Sequence, residues 1–324
     1  MTRDYTVCIR TLGRAGEMYR RELVSLRRQT LQPRDIIVYI AEGYELPAER
    51  TVAERYIYVP KGMVAQRALD YKEVATEWIL LLDDDMELAP DSVERLFDQL
   101  EAEGGDVIGA DVFPNSNRGK MSELMMTLTG RMRGRKDDGR WANRLMSTGG
   151  FSYLRSHSKA AYRSELNSGN CLLIRKTALL AINFAEELWL DQMPYAMGDD
   201  QVMSYKLHLA GFRQLTSFDC GVRHLDAGST MTDLDRTTTR LYCDARFKRV
   251  FYDRFMLRPE RSLWRRMAYR LGFNYARLAN LAVSALKLDL PLLRAKYRGY
   301  RDGARFVRTR SQDHPITGHL RRPK

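Results

Sequence analysis

The chain is 324 residues long, with 44% hydrophobic and 29% charged residues and a formal net charge of +12. That length can bury a substantial core, as one large domain or as one domain with an appendage. No apolar run reaches the roughly 18 residues of a membrane-spanning helix, and Cys8, Cys171, Cys220 and Cys243 are too scattered for a disulfide or zinc framework.

The opening Met1-Thr2-Arg3-Asp4 leads straight into Tyr5–Arg10, a strand-like run, so no secretory leader is expected. A loop, Thr11-Leu12-Gly13-Arg14, precedes a helix from about Gly16 to Gln29, with Tyr19, Leu23 and Leu26 on one face. Pro33 closes it. Ile36–Ile40 reads as a second strand turned at Glu42-Gly43, and Tyr56–Val59 as a short third. Gly62 is predicted to open a helix carrying Val64, Ala68 and Tyr71. Trp78-Ile79-Leu80-Leu81-Leu82 then has the unbroken apolar character of a strand buried on both faces.

That strand ends in Asp83-Asp84-Asp85, three like charges that neither a core nor a tight turn requires. A solvated acidic turn, or a cap for the helix starting near Pro90-Asp91, would also account for them. Position favours a ligand, because open α/β sheets bind beyond the carboxyl ends of their strands. Carboxylates there can hold a hard divalent cation, and the cation holds phosphates.

A helix with Val93, Leu96, Phe97 and Leu100 follows, then a strand at Val107–Ala110. Residues 115–166 lose clear periodicity and read either as a surface excursion or as a substrate-facing insert. Order returns with a strand at Ser168–Arg175 and a helix near Asp199–Ala210, which carries Val202, Tyr205 and Leu209 and ends at Gly211. His224 falls in a loop-like stretch. The alternation predicts a mostly parallel sheet built from βαβ units.

Charge is uneven along the chain. From Ala245 to the end there are 21 Lys/Arg and 5 Asp/Glu, a balance of +16, which leaves 12 − 16 = −4 for residues 1–244. The tail also carries Leu271, Tyr275, Leu278, Ala282 and Leu286 at helical spacing, bordered by Arg265, Arg266, Arg270 and Arg277 and interrupted by Pro291. Such a helix packs on its own domain or lies on an anionic membrane surface.

Four separated segments together resemble a family 2 glycosyltransferase with the GT-A fold. They are Val7 to Val38, Lys61-Gly62-Met63-Val64-Ala65-Gln66-Arg67-Ala68, Leu82-Asp83-Asp84-Asp85 through Pro90, and Gly198-Asp199-Asp200-Gln201 with Lys206 and Ala210-Gly211-Phe212. The resemblance covers roughly residues 5–230. It implies a GT-A catalytic domain over residues 1–235 and a basic, amphipathic helical region over 236–324.

The resemblance further implies an inverting enzyme of hexosyltransferase type. It would move a sugar from a nucleotide-diphosphate donor to a glycan or lipid-linked acceptor, in cell-surface polysaccharide synthesis. Mg²⁺ or Mn²⁺ would neutralise the departing diphosphate. Asp85 is the expected metal ligand, with His224 completing the shell. Thr11, Arg14, Gly62 and Arg67 are expected at the nucleotide-sugar, Arg67 on the pyrophosphate, and Asp83 and Asp84 on ribose and sugar hydroxyls. Family members often carry an acidic pair after the second strand; here Glu42 stands in, leaving UDP-, GDP- and dTDP-sugars all open. Asp200 is the expected general base, with Asp199 as the alternative or as the helix cap. The protein is expected in the cytoplasm, peripheral to the membrane.

Two other readings compete. A sugar-phosphate nucleotidyltransferase would want a glycine-rich loop after the first strand, and Thr11-Leu12-Gly13-Arg14-Ala15-Gly16 has only two glycines. A nucleic-acid-binding protein would want aromatics among the tail's basic residues and leaves Asp83–Asp85 idle, so no nucleic acid is expected as a partner.

Overall fold

The computed structural model describes residues 2–112, 119–195, 197–225 and 234–309. The amino-terminal part runs β1 (Tyr5–Thr11), α1 (Glu17–Arg27), β2 (Asp35–Ala41), β3 (Glu54–Val59), β4 (Trp78–Asp83), β5 (Met86–Leu88), α2 (Ser92–Glu103) and β6 (Val107–Ala110). The middle adds α3 (Lys120–Leu128), β7 (Met132–Arg135), β8 (Arg144–Leu145), β9 (Phe151–Leu154), β10 (Ala161–Arg163), β11 (Cys171–Arg175) and α4 (Lys176–Ala181). A 3₁₀ helix (Phe184–Gln192) leads to α5 (Asp199–Leu209), β12 (Gln214–Ser217) and β13 (Val222–His224). The last part comprises α6 (Leu234–Phe251), a π-helix (Tyr252–Leu257), α7 (Leu263–Leu286) and α8 (Leu290–Thr309).

One eight-stranded sheet, in the order β10-β12-β6-β11-β4-β1-β2-β3, organises the molecule. The β1–β2, β2–β3, β1–β4 and β6–β12 pairs are parallel, while β11 runs antiparallel to both neighbours and β10 antiparallel to β12. This is the expected mixed α/β, GT-A-like architecture. The apolar run of β4 sits in the middle, with both faces covered by separate apolar clusters. On one face α1 packs Tyr19, Leu23 and Leu26 against Val7, Ile9 and Leu80, as its spacing predicts. Asp83 therefore emerges at the carboxyl edge of the central strand.

One expectation needs correction. The helix expected from Gly62 does not form. Helical backbone bonds run from Gln66 to Gly62 and from Arg67 and Ala68 to Val64 and go no further, and Tyr71 takes a left-handed φ of 49°. The reason is tertiary: Asp191 accepts the Val64 and Ala65 N–H groups at 3.0 and 2.9 Å, and the Gln66 amide bonds the carbonyls of Thr11 and Tyr39. These contacts fix a tight turn against the strand ends.

The stretch 115–166, expected as a surface excursion or a substrate-facing insert, holds α3 and a small sheet of order β7-β9-β8; residues 115–118 of it lie outside the described residues. Packing is continuous across the expected division at 235/236. Cys243, Phe247, Phe251 and Phe255 share one apolar core with Ile79, Leu172, Val202 and Tyr205. Helix α6 was invisible because its apolar residues are diluted by Asp, Arg and Lys and carry little helical periodicity.

Helix α7 presents the expected stripe to solvent. Leu271, Tyr275, Leu278, Ala282 and Leu286 are exposed, while Phe273, Ala276, Asn280 and Ser284 form its buried face. Pro291 sits near the start of α8, where its ring fits a first turn. No helix among the described residues is long and apolar enough to cross a membrane. All four cysteines are buried and free.

Candidate active site

Pairing of β1 with β4 sets Arg10 beside Asp83 at the carboxyl edge. The Arg10 guanidinium grips the Asp83 carboxylate with two N–H donors and reaches Asp199 at 3.4 Å. Arg67, buried beside it, donates to Asp199 at 2.9 Å, Asp200 at 2.5 Å, Asp83 at 3.2 Å and the Gly169 carbonyl at 2.8 Å. Asn170 donates to the other Asp83 oxygen at 2.9 Å. Two guanidinium groups thus tie the tip of β4 to the first turn of α5, bridging residues far apart in sequence.

Two glycines make this possible. A Cβ on Gly169 would lie 2.1 Å from Asp200 Oδ1 and 2.4 Å from Arg67 Nη1. Gly198, at φ 81°, turns the chain into α5 with no room for a side chain, since a Cβ there would meet the Phe247 ring at 2.2 Å. Asp199 and Asp200 then occupy the first turn of α5, where the helix dipole favours negative charge.

The carboxylates differ in environment. Burial works against the Asp83 charge, but Arg10 and Arg67 outweigh it and hold the group below the ordinary Asp range. Burial, opposed by the Thr11 hydroxyl, raises Asp84; Thr11 Oγ1 donates to it at 2.5 Å. Burial, reinforced by Asp200, lifts Asp199 to about 6. Asp200 keeps 34% of its side-chain surface exposed, against 6% for Asp199. Beneath the triplet, burial and then Asp84 push Glu22 of α1 well above the usual carboxyl range. Its charge is thus disfavoured beneath a turn that already carries three carboxylates.

Asp85 and His224 meet across the β5–β13 pairing, with His224 Nε2 3.3 Å from Asp85 Oδ2. No group of three or more His, Cys, Asp and Glu among the described residues is arranged to hold a metal ion by itself. The donor set fits a cation that arrives with a diphosphate, because Mg²⁺-type sites commonly use one or two carboxylates plus substrate phosphates. An oxygen and an imidazole side by side at the strand edge would supply that protein share.

A cavity of about 660 Å³ opens over this edge, lined by Arg10, Thr11, Arg14, Lys61, Gly62, Asp83, Asp84 and Asp85 among others. Of the residues expected at the nucleotide-sugar, Thr11, Arg14, Gly62, Asp83 and Asp84 are brought together here. Gly62 has a tight packing reason: a Cβ would lie 2.2 Å from Asp191 Oδ2. Arg67, expected on a pyrophosphate, has its guanidinium turned to three aspartates instead. Glu42 is exposed just beyond β2 and lies outside the lining. Arg10, Lys61 and Asp191 were missed. Lys61 lies 5.0 Å and Arg14 4.8 Å from the Tyr44 ring centroid, a cationic pair at the rim. Arg10 could have been suspected, as an arginine closing an apolar strand; nothing local announces Asp191.

Residues 7–160 match the family described as Glycosyl transferase family 2. No curated protein matches the chain. The matched stretch runs from within β1 through β9, with Asp83–Asp85 and most of the cavity wall. The strand-edge carboxylates, the cationic rim and this match converge: residues 7–160 form a glycosyl transferase family 2 region, and the protein is a glycosyltransferase that uses nucleotide sugars.

Proposed function

We propose that the protein is an inverting, metal-dependent glycosyltransferase, building a cell-surface polysaccharide on a glycan or lipid-linked acceptor at the cytoplasmic face of an anionic membrane. The observation that carries this reading is the placement of two acidic groups on either side of Arg67, Asp83–Asp85 at the strand edge and Asp199–Asp200 at the start of α5. Donor chemistry needs the first group and acceptor chemistry the second.

On the donor side, Arg14 and Lys61 attract the diphosphate into the cavity. Asp85 and His224 would hold Mg²⁺ or Mn²⁺, which when bound supplies a Lewis acid for the departing diphosphate. Thr11 restrains Asp84, leaving its other oxygen for a donor hydroxyl. Asp83 accepts from Arg10, Arg67 and Asn170 and anchors the arginines.

On the acceptor side, an alcohol needs its proton removed as it attacks. Asp200 is suited to this because it is partly open, while Arg67 fixes one of its oxygens and leaves the other to accept the proton. Asp199, held by Arg10 and Arg67, orients that turn. A single base with no enzyme nucleophile implies attack from the face opposite the leaving group, hence inversion.

The membrane part of the proposal rests on α7. Its exposed apolar residues run Leu263, Trp264, Met267, Leu271, Tyr275, Leu278 and Leu286 along one side. Across 24 residues this stripe extends about 36 Å. Tyr275 bonds the Leu128 carbonyl of α3, whose Met121, Leu124 and Leu128 are also exposed. An apolar band set in a segment of +16 suits anionic lipid, with acyl boundary for the band and headgroups for the arginines.

The decisive experiment is a thermal-shift panel of UDP-, GDP- and dTDP-sugars with and without Mn²⁺, followed by turnover of Asp200→Asn. One nucleotide class should stabilise the protein, more with Mn²⁺. Asp200→Asn should keep that shift and lose transfer by roughly 10²–10⁴-fold. Full activity in EDTA would remove the metal from the reading, and normal transfer by Asp200→Asn would remove the base.

A further inference from the structure

A second cavity of about 660 Å³ lies away from the strand-edge site, at the other end of α5. His208 and Gly211 line it, whereas Asp199 and Asp200 begin the same helix, on the order of 16 Å away for its 11 residues. Gln214, also in the lining, pairs with Val107 at the start of β6, so this cavity sits at the amino edge of the parallel strands. It shares no lining residue with the first.

Its charge is one-sided. Four arginines enter from four separate parts of the fold: Arg144 from β8, Arg163 from β10, Arg213 before β12 and Arg265 from the first turn of α7. Among the described residues lining it, Glu165 is the one carboxylate, giving 4 − 1 = +3 with histidine neutral. Glu165 is already engaged by the Leu145 N–H at 2.7 Å and by Arg144 at 3.5 Å. Arg213 donates to the Glu103 carbonyl at 2.6 Å, which fixes its fork without cancelling its charge. Arg265 is 3.9 Å from Glu260, which is not in the lining.

Part of the wall is apolar or aromatic, with Leu145, Phe212, Met256 and Tyr269. Low-polarity walls sharpen the attraction of such a cluster for an anion. Planar guanidinium forks approaching from several directions match the tetrahedral oxygens of a phosphate better than a single carboxylate.

We propose that this cavity is a second binding site, selective for a phosphate-bearing ligand. Two sources present that chemistry. Arg265 follows Trp264, which lies at the start of the exposed stripe of α7 and is 80% exposed, so a lipid phosphate headgroup is within the cavity's natural approach. A soluble sugar phosphate offers the same group with hydroxyls for the aromatic wall. The site does not depend on the glycosyl-transfer reading, and nucleotide-sugar binding serves as its control.

The test is calorimetry of the full-length protein with inorganic pyrophosphate in EDTA at low salt, which denies the aspartate-lined cavity a metal ion, the double variant below separating any binding at its Arg14 and Lys61. Saturable binding is expected, weakened at least tenfold in the Arg163→Gln/Arg265→Gln double variant. Donor binding with Mn²⁺ should be unchanged, which also shows that the variant is folded. Competition by short-chain phosphatidic acid, stronger than by a hexose 1-phosphate, would identify the lipid source; the reverse order would identify the soluble one. Absence of saturable binding in the wild type, or equal affinity in the double variant, overturns the proposal. Independently of any substitution, tungstate soaked into crystals should give its anomalous peak among these arginines, and a peak only elsewhere overturns it too.

Discussion

A guanidinium as deeply buried as that of Arg67 has to be matched by carboxylates, and three surround it. Removing it leaves Asp83 and Asp199 facing one another with only Arg10 between them. Arg67→Met should therefore destabilise the fold by about 3–5 kcal/mol, the range for breaking a buried ion pair. A residue serving only as a pyrophosphate contact would raise KM and leave the urea midpoint unmoved, so denaturation separates the two roles. Asp199 offers a pH test. Its folded-state value of about 6 lies above the ordinary 3.8, so between those values the native state holds a proton that the unfolded chain releases. Its contribution to stability is full below about pH 4 and is lost as pH rises to 6. Asp199→Asn abolishes that titration, so the melting temperature of the variant relative to wild type should climb across the same interval. A flat difference would show that Asp199 does not titrate there.

Helix α5 depends on its entry turn as much as on its own residues. Gly198→Ala places a methyl group against Phe247 and forces a left-handed conformation on a residue with a Cβ. A cost of about 1–3 kcal/mol is expected, with transfer falling more than donor binding because the displaced turn carries Asp200. Steady-state kinetics beside a melting curve would check both. How far such elements could be read from sequence varied with their periodicity. Strands β1, β2 and β4 and helices α1 and α5 were legible, since their apolar spacing or unbroken apolar run is a local property. The turn at Gly62 was not, because Asp191 fixes it from 126 residues away, measured to Ala65. Helix α6 was hidden by its charged residues, and β12 and β13 by shortness. In the site, the triplet, Thr11 and the acid pair were legible as chemistry, whereas the Arg10–Arg67 bridge is a fact of packing that no spacing announces.

On the scale of the whole molecule, the C-terminal helices belong to the same core as the sheet, so truncating the chain near Ala245 would remove Phe247, Phe251 and Phe255, lay bare Val202 and Tyr205, and unfold the body. The membrane reading is better tested at the surface. Leu271 and Leu278 are 70% and 60% exposed, so Leu271→Asn/Leu278→Asn should leave the melting temperature within about 1 kcal/mol equivalent. Flotation with anionic vesicles should fall several-fold, and salt should weaken wild-type flotation. Unchanged flotation would assign the stripe to another partner. The burial of Cys8, Cys171, Cys220 and Cys243 bears on how such surfaces can be mapped. Burial pushes the pKa of each thiol up and so suppresses the thiolate, which is the reactive form; the native chain should be almost silent to maleimide. A single cysteine introduced on α7 would then carry a spin label or fluorophore alone, with every native sulfur left in place. Conversely, any labelling of the unaltered protein becomes a clock for its opening, with Cys8 timing the sheet and Cys243 timing the helices that lean on it.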